Sequence, residues 1–202
     1  VNDGTVDALE TINVAVAAVN DFPTISTSKS LSTNEDTATA AIAFSGSDVD
    51  GDTLTFSFSD PAKGSVVDNG NGTFAYTPDA NANGSDSFTI TVNDGTVDAL
   101  ETINVAVAAV NDAPTISTTT SLTTPEDTAT AAIVFGGSDV DGDTLTFSFS
   151  DPAKGSVVDN GDGTFAYTPD ANVNGSDSFT ITANDGTVDV TETINVAITA
   201  VN

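Results

Sequence analysis

Asp48-Val49-Asp50-Gly51-Asp52-Thr53-Leu54-Thr55-Phe56-Ser57-Phe58-Ser59 carries two signals back to back. The second half alternates apolar and hydroxyl side chains, with Leu54, Phe56 and Phe58 on one parity. That is the two-residue period of a strand with one buried face. The first half sets three carboxylates within five residues, which repel one another unless they share a cation. Oxygen ligands with no His or Cys nearby suit a hard ion, calcium before magnesium. The competing reading is a solvated acidic turn, because Asp-Gly pairs are ordinary turn residues. The stretch returns unchanged from Asp139 to Ser150.

Outward from it, the whole chain repeats with a period of 91 residues and no insertion or deletion. Residues 21–111 and 112–202 differ at 14 of 91 positions, and Val1–Asn20 is identical to Val92–Asn111. The organisation expected is a C-terminal hairpin of a preceding repeat at 1–20, one full repeat at 21–111 and a second at 112–202. A period of domain size means an array of domains rather than a thin solenoid. Within a repeat, strands are expected over Thr37–Phe44, Thr53–Ser59, Ser65–Asp68, Thr73–Tyr76, Ser87–Val92 and Leu100–Val110. Asn69-Gly70-Asn71-Gly72 between two of them is a hairpin signal, since Asn and Gly tolerate positive φ. No window carries a helical apolar period with caps. Six or seven short strands joined by turns in each repeat read as an all-β chain of tandem immunoglobulin-like antiparallel β-sandwiches.

The differences between copies fit this reading. Ala43→Val134, Ala99→Val190 and Val107→Ile198 are small apolar changes of the kind a core tolerates. Phe22→Ala113 and Lys29→Thr120 fall near the domain entry, where exposure is expected. Asn71→Asp162 adds one acid in the hairpin turn, and every Asp and Glu of the first copy recurs in the second. The boundaries fall at Asn20-Asp21-Phe22-Pro23 and Asn111-Asp112-Ala113-Pro114, where each proline holds the residue before it extended.

The chain has 30 acidic and 3 basic side chains, a formal charge of −27, and no Cys, His, Met or Trp. Nucleic acid and anionic membrane surfaces are poor partners for it, since both need Lys and Arg to neutralise phosphate. Such a field destabilises a compact fold unless cations bind or salt screens it. Disorder is excluded by the 38% of hydrophobic residues and their regular placement. No stretch reaches the roughly 18 apolar residues of a membrane span. The first residues have neither the basic nor the apolar region of a signal peptide, so the chain reads as a window cut from something longer.

In combination, Asn111-Asp112-Ala113-Pro114-Thr115, Glu126-Asp127-Thr128, Asp139-Val140-Asp141-Gly142-Asp143-Thr144-Leu145, Gly163-Thr164-Phe165, Tyr167-Thr168-Pro169 and Asn174-Gly175-Ser176-Asp177-Ser178-Phe179 are specific. The chain resembles, over essentially its whole length, the cadherin-like tandem repeats of very large bacterial surface adhesins. The resemblance implies calcium between successive domains. Carried over residue by residue, it offers Glu35 or Asp36 and Asp79 from the first repeat, Asn111 and Asp112 from the linker, and Asp139, Asp141 and Asp185 from the second repeat. Asp21, Asp48, Asp50 and Asp94 form the same set toward a preceding domain, and Glu126, Asp127 and Asp170 toward a following one. Asn81 stands where the cadherin segment usually has a second acid. An EF-hand does not fit, because Gly51 is at loop position 4 and Ser59 at position 12.

Without His or Cys no Ser-His, Cys-His or zinc site can be built. A paired-carboxylate glycosidase is formally possible, but the acids lie in turns and sugar-stacking side chains are few. Lys63 and Lys154 sit in turns where exposure is expected rather than an isopeptide bond. The function expected is therefore a non-catalytic structural repeat of a secreted or bacterial cell-surface adhesin or fibre. Its partners would be neighbouring repeats of the same chain. The alternatives are a filament subunit, held by lateral contacts or by strand addition from residues 1–20, and a carbohydrate- or protein-binding module.

Overall fold

A computed structural model describes Gly4 and residues 9–202. The first half of the expected 1–20 hairpin lies mostly outside the described residues. Leu9–Asn20 carries no strand and is exposed throughout, with Ile12, Val14 and Val16 each more than three-quarters open to solvent. The chain divides into two compact units, residues 1–108 and 109–202.

The first unit contains β1 (Thr24–Thr27), β2 (Ser30–Asn34), β3 (Ile42–Ser47), β4 (Thr55–Phe58), β5 (Gly64–Asp68), β6 (Thr73–Pro78), β7 (Gly84–Asn93) and β8 (Asp98–Ala108). One sheet has the order β1-β3-β6-β5 and the other β2-β8-β7-β4. The second unit repeats this with β9 (Thr115–Thr118), β10 (Ser121–Pro125), β11 (Ile133–Ser138), β12 (Thr146–Phe149), β13 (Gly155–Asp159), β14 (Thr164–Pro169), β15 (Gly175–Asn184) and β16 (Asp189–Thr199). No helix occurs among the described residues, so none is long and apolar enough to cross a membrane.

Alternation decides which face is buried. On β7, Phe88, Ile90 and Val92 point inward, and on β8 Ile103, Val105 and Val107 do the same. From the facing sheet Phe74 and Tyr76 of β6 are fully buried, and Phe44 of β3 sits edge-on to Phe56 at 5.0 Å and to Phe58 at 5.4 Å. Each such aromatic pair adds about 0.5–1.5 kcal/mol beyond its burial. Phe165, Tyr167, Phe179, Ile181 and Ile194 form the equivalent core of the second unit.

The structure refines the strand expectations in three places. Strand β3 begins at Ile42, later than Thr37, because the small segment before it makes no ladder. There Thr39 N–H donates to Tyr76 O at 2.9 Å, and Tyr76 N–H donates to Thr39 Oγ1 at 3.0 Å, a hydroxyl standing in for a backbone carbonyl. Strands β1 and β2 were not anticipated. They split the N-terminal edge between the sheets: β1 pairs antiparallel with β3, whereas β2 pairs parallel with β8, Ser30 opposite Asn104 through Asn34 opposite Ala108. The unit is thus antiparallel apart from this one pair, repeated as β10 with β16.

Strand β8 fixes the two ends of the unit. The β7–β8 turn holds Asp94 at its start, and at its finish Ala108 O accepts the Glu35 N–H at 2.9 Å. Eleven strand residues separate these poles by roughly 35 Å at about 3.3 Å per residue.

Candidate metal centre

The acidic loop between β3 and β4 folds around its first aspartate. Asp48 Oδ1 accepts the N–H of Asp50 at 2.8 Å and of Asp52 at 3.5 Å, and Gly51 takes φ +80°, which lets the loop close that tightly. The turn sets Asp48, Asp50 and Asp52 so that one carboxylate oxygen from each lies within 4.8 Å of the others. Asp139, Asp141 and Asp143 do the same in the second unit. These are the only such carboxylate groups among the described residues. Asp52 and Asp143 were absent from the ligand set implied by the resemblance.

The linker closes over the group from within the same unit. Asp112 N–H donates to Asp141 Oδ2 at 2.8 Å, and Asn111 Nδ2 donates to Asp185 Oδ2 at 2.9 Å. Asp21 on Asp50 and Asn20 on Asp94 repeat these bonds in the first unit at 2.8 and 2.9 Å. Asp185 Oδ1 also accepts the N–H of Thr187 and Val188, at 2.6 and 2.7 Å. The Asn111 amide and these two N–H groups hold the Asp185 carboxyl below the usual carboxylate range, against the opposing pull of burial. For Asp94 the Val97 N–H leads, with Asn20 next. Both aspartates therefore spend their two oxygens on donors and anchor the linker.

Asp48 and Asp139 differ. In each, Oδ2 is buried and accepts no hydrogen bond. A buried carboxylate oxygen without a donor is costly, and a cation among three carboxylates removes that cost. Hard oxygen donors with neither imidazole nor thiolate fit an alkaline-earth ion.

The other pole is arranged differently. Asp36 Oδ1 accepts the Asn81 N–H at 3.0 Å, and Glu35, itself buried, accepts the Asn83 amide at 3.2 Å. Asp79 uses its backbone, its N–H to Lys63 O and its carbonyl to Ala82 N–H. Glu35, Asp36 and Asp79 do not form a three-carboxylate group among the described residues. Asp36 and Asn81 both take positive φ, 57° and 56°, so the loop is shaped by these two residues.

The sequence reading missed a buried carboxylate in the body of the sandwich. Asp86, 8% exposed, accepts the N–H of Ala62 and Lys63, each at 3.0 Å, the N–H of Ser87 at 2.8 Å and the hydroxyl of Tyr76 at 2.8 Å. Burial alone would raise its pKa, but the Tyr76, Ser87, Lys63 and Ala62 donors prevail and hold it low. A signal was present: Asp86 shares the inward parity of Phe88 and Ile90. Lys63 is exposed, as expected, with its Nζ donating to Asn83 O at 2.9 Å, whereas Lys154 is half-buried, its Nζ donating to Asn174 O at 3.4 Å.

The sequence pattern of the family described as Cadherin-like domain matches twice, over residues 19–108 and 110–199. The chain belongs to the cadherin-like domain family. Solved structures agree on the fold of the cadherin-like repeats. The chain is similar to PcdhgB3 EC1-4 (15% identity over 93% of this chain and 52% of that one, TM-score 0.54). It is similar also to protocadherin gamma B2 extracellular cadherin domains 1-5 (17% identity, 91% and 40% coverage, TM-score 0.51). An endo-fucoidan hydrolase from glycoside hydrolase family 107 aligns with 96% of the chain at 22% identity and TM-score 0.40, and the chain spans 31% of that protein's length. No curated protein matches the sequence.

Proposed function

We propose that the chain is a non-catalytic extracellular repeat segment, an extender of a secreted or bacterial cell-surface adhesin or fibre, stiffened by calcium at the joints between repeats. The observation that carries this reading is the buried, donorless Oδ2 of Asp48 and Asp139 inside a group of three carboxylates. Asp139, Asp141 and Asp143 would hold the ion, with Asn111 and Asp112 of the linker beside them. Glu35, Asp36 and Asp79 of the preceding repeat would complete the set, as the resemblance implies. Calcium takes six to eight oxygens, so backbone carbonyls and water share the coordination. Bound there, it would neutralise part of the −27 charge and tie the linker to the acidic loop. Near-identical repeats favour a spacer, because copying improves a spacer and a binding site needs loops of its own.

The test is thermal unfolding together with small-angle scattering, in EDTA and then in millimolar calcium at fixed ionic strength. A raised unfolding temperature and a longer, stiffer particle support the proposal, and Asp139→Ala with Asp141→Ala should remove the second-repeat contribution. A calcium-independent unfolding temperature would sink it.

A second reading is favoured by the exposed Leu9–Asn20 segment, whose sequence is that of β8 and its linker. It could add as a strand to another molecule. Its drawback is energetic. Both units already hold their own β8 or β16, so a neighbour's strand, identical to β8 and close to β16, replaces near-equal contacts and costs association entropy. Deleting Val1–Asn20 should abolish self-assembly on this reading and leave an extender monomeric.

A further inference from the structure

We propose that Asn71 is a self-modification site, converted in the folded protein to aspartate and isoaspartate through attack by the Gly72 backbone nitrogen. Five asparagines in the chain precede glycine: Asn69, Asn71, Asn83, Asn160 and Asn174. Ring closure needs the glycine nitrogen free and the amide carbonyl activated, and the structure sorts the five on both counts.

Gly70 N–H is engaged on Asp68 Oδ1 at 2.8 Å, and Gly161 N–H on Asp159 Oδ1 at 2.8 Å. Gly84 and Gly175 open β7 and β15 within their ladders, opposite Val107 and Ile198. Among the described residues Gly72 N–H donates to no acceptor. Asn71 is exposed, so water and base reach it.

The carbonyl is activated as well. Asn71 Oδ1 accepts the Thr73 N–H at 3.2 Å and the Thr73 hydroxyl at 2.6 Å. Asn69 Nδ2 donates to the same hydroxyl oxygen at 2.9 Å, which leaves its single hydrogen for Asn71. Attack on Cγ places negative charge on Oδ1, where both donors already wait. Preorganised donors at a developing oxyanion lower the barrier of acyl chemistry.

The step balances without a co-reactant other than water. Gly72 nitrogen gives its proton to solvent base and bonds to Asn71 Cγ. The Cγ–Nδ2 bond breaks, and the nitrogen leaves as ammonia after taking a proton. Water then opens the cyclic imide. Cleavage at Cγ yields aspartate, and cleavage at the main-chain carbonyl yields isoaspartate.

The second repeat shows that the turn accepts the product. Asp162 stands at the position of Asn71, and its Oδ1 takes the Thr164 N–H at 3.0 Å and the Thr164 hydroxyl at 2.6 Å. Conversion of Asn71 to aspartate gives the first hairpin the sequence of the second.

The experiment ages the folded 202-residue protein in warm, mildly alkaline buffer. Peptide mass mapping follows each asparagine, and an isoaspartate methyltransferase assay follows the rearranged product. Asn71 should convert roughly tenfold or more faster than Asn69 and Asn160, with the gap closing in urea-unfolded chain. Thr73→Val should slow Asn71 while Thr73→Ser keeps the rate. Equal folded-state rates at Asn71 and Asn69, or a Thr73→Val rate matching the parent, would overturn the proposal.

Discussion

The phenolic hydroxyl of Tyr76 donates to Asp86 Oδ2 at 2.8 Å, and Tyr167 repeats the bond on Asp177 at 2.7 Å. The first pair ties β6 of one sheet to β7 of the other through a buried charge, and the second ties β14 to β15 through a half-buried one. Burial first, and then the Asp86 carboxylate, push the Tyr76 hydroxyl well above the usual tyrosine range.

The pair makes stability pH-dependent at both extremes. Asp86 is held low when folded, so its contribution is complete above the ordinary aspartate value near 3.9 and is lost as pH falls through the folded value. Tyr76 is held high, so its contribution is complete below about 10 and is lost as pH rises through its folded value. Unfolding temperature should therefore be flat between about pH 5 and 9 on this account. Tyr76→Phe removes one charged hydrogen bond and should cost about 1.5–3 kcal/mol in urea unfolding near neutral pH.

Calcium should raise the unfolding temperature through the acidic loops. At a hundredfold excess over the dissociation constant each site adds about 2.7 kcal/mol. Asp48→Asn neutralises the carboxylate with the donorless oxygen. It should leave the EDTA unfolding temperature unchanged or higher while reducing the calcium increment, a crossing that differential scanning calorimetry resolves.

Gly64→Ala should destabilise without touching any acid. A Cβ at Gly64 would meet Thr77 O and come within 2.8 Å of the Tyr76 ring. Overpacking of this kind costs about 1–3 kcal/mol. The same change at Gly155, against Thr168 O and Tyr167, should match it in chemical denaturation.

Lys29→Thr, the change already present as Thr120, should be nearly silent. Lys29 Nζ reaches Glu101 Oε2 at 2.6 Å from a side chain 67% exposed. Exposed pairs of this kind contribute about 0–1 kcal/mol. The loss should shrink further in high salt.

Much of the sandwich was legible because alternation is a strong local signal. Phe56 and Phe58, Phe88 through Val92, and Ile103 through Val107 each mark their own inward face. Strands β1 and β2 were not legible, since Ile25 and Leu31 are single apolar residues in hydroxyl-rich runs and their pairing is set by distant partners. The acidic loop was visible as Asp48, Asp50 and Asp52. Its closure by the linker was visible only through the family resemblance, because 29 residues separate Asp112 from Asp141. Asp86 was missed because a single carboxylate inside a polar-apolar alternation reads as another surface position until its parity is checked.

The parallel pairing of β2 with β8 has a mechanical consequence. Tension drawn along a repeat enters through β1, and once β1 leaves β3 it pulls β2 toward the N-terminus and β8 toward the C-terminus. Parallel strands pulled this way are sheared rather than peeled, so the register from Ser30–Asn104 to Asn34–Ala108 is loaded all at once. A repeat built like this resists stretching with its whole edge in concert, and yields only when that edge slips as a unit.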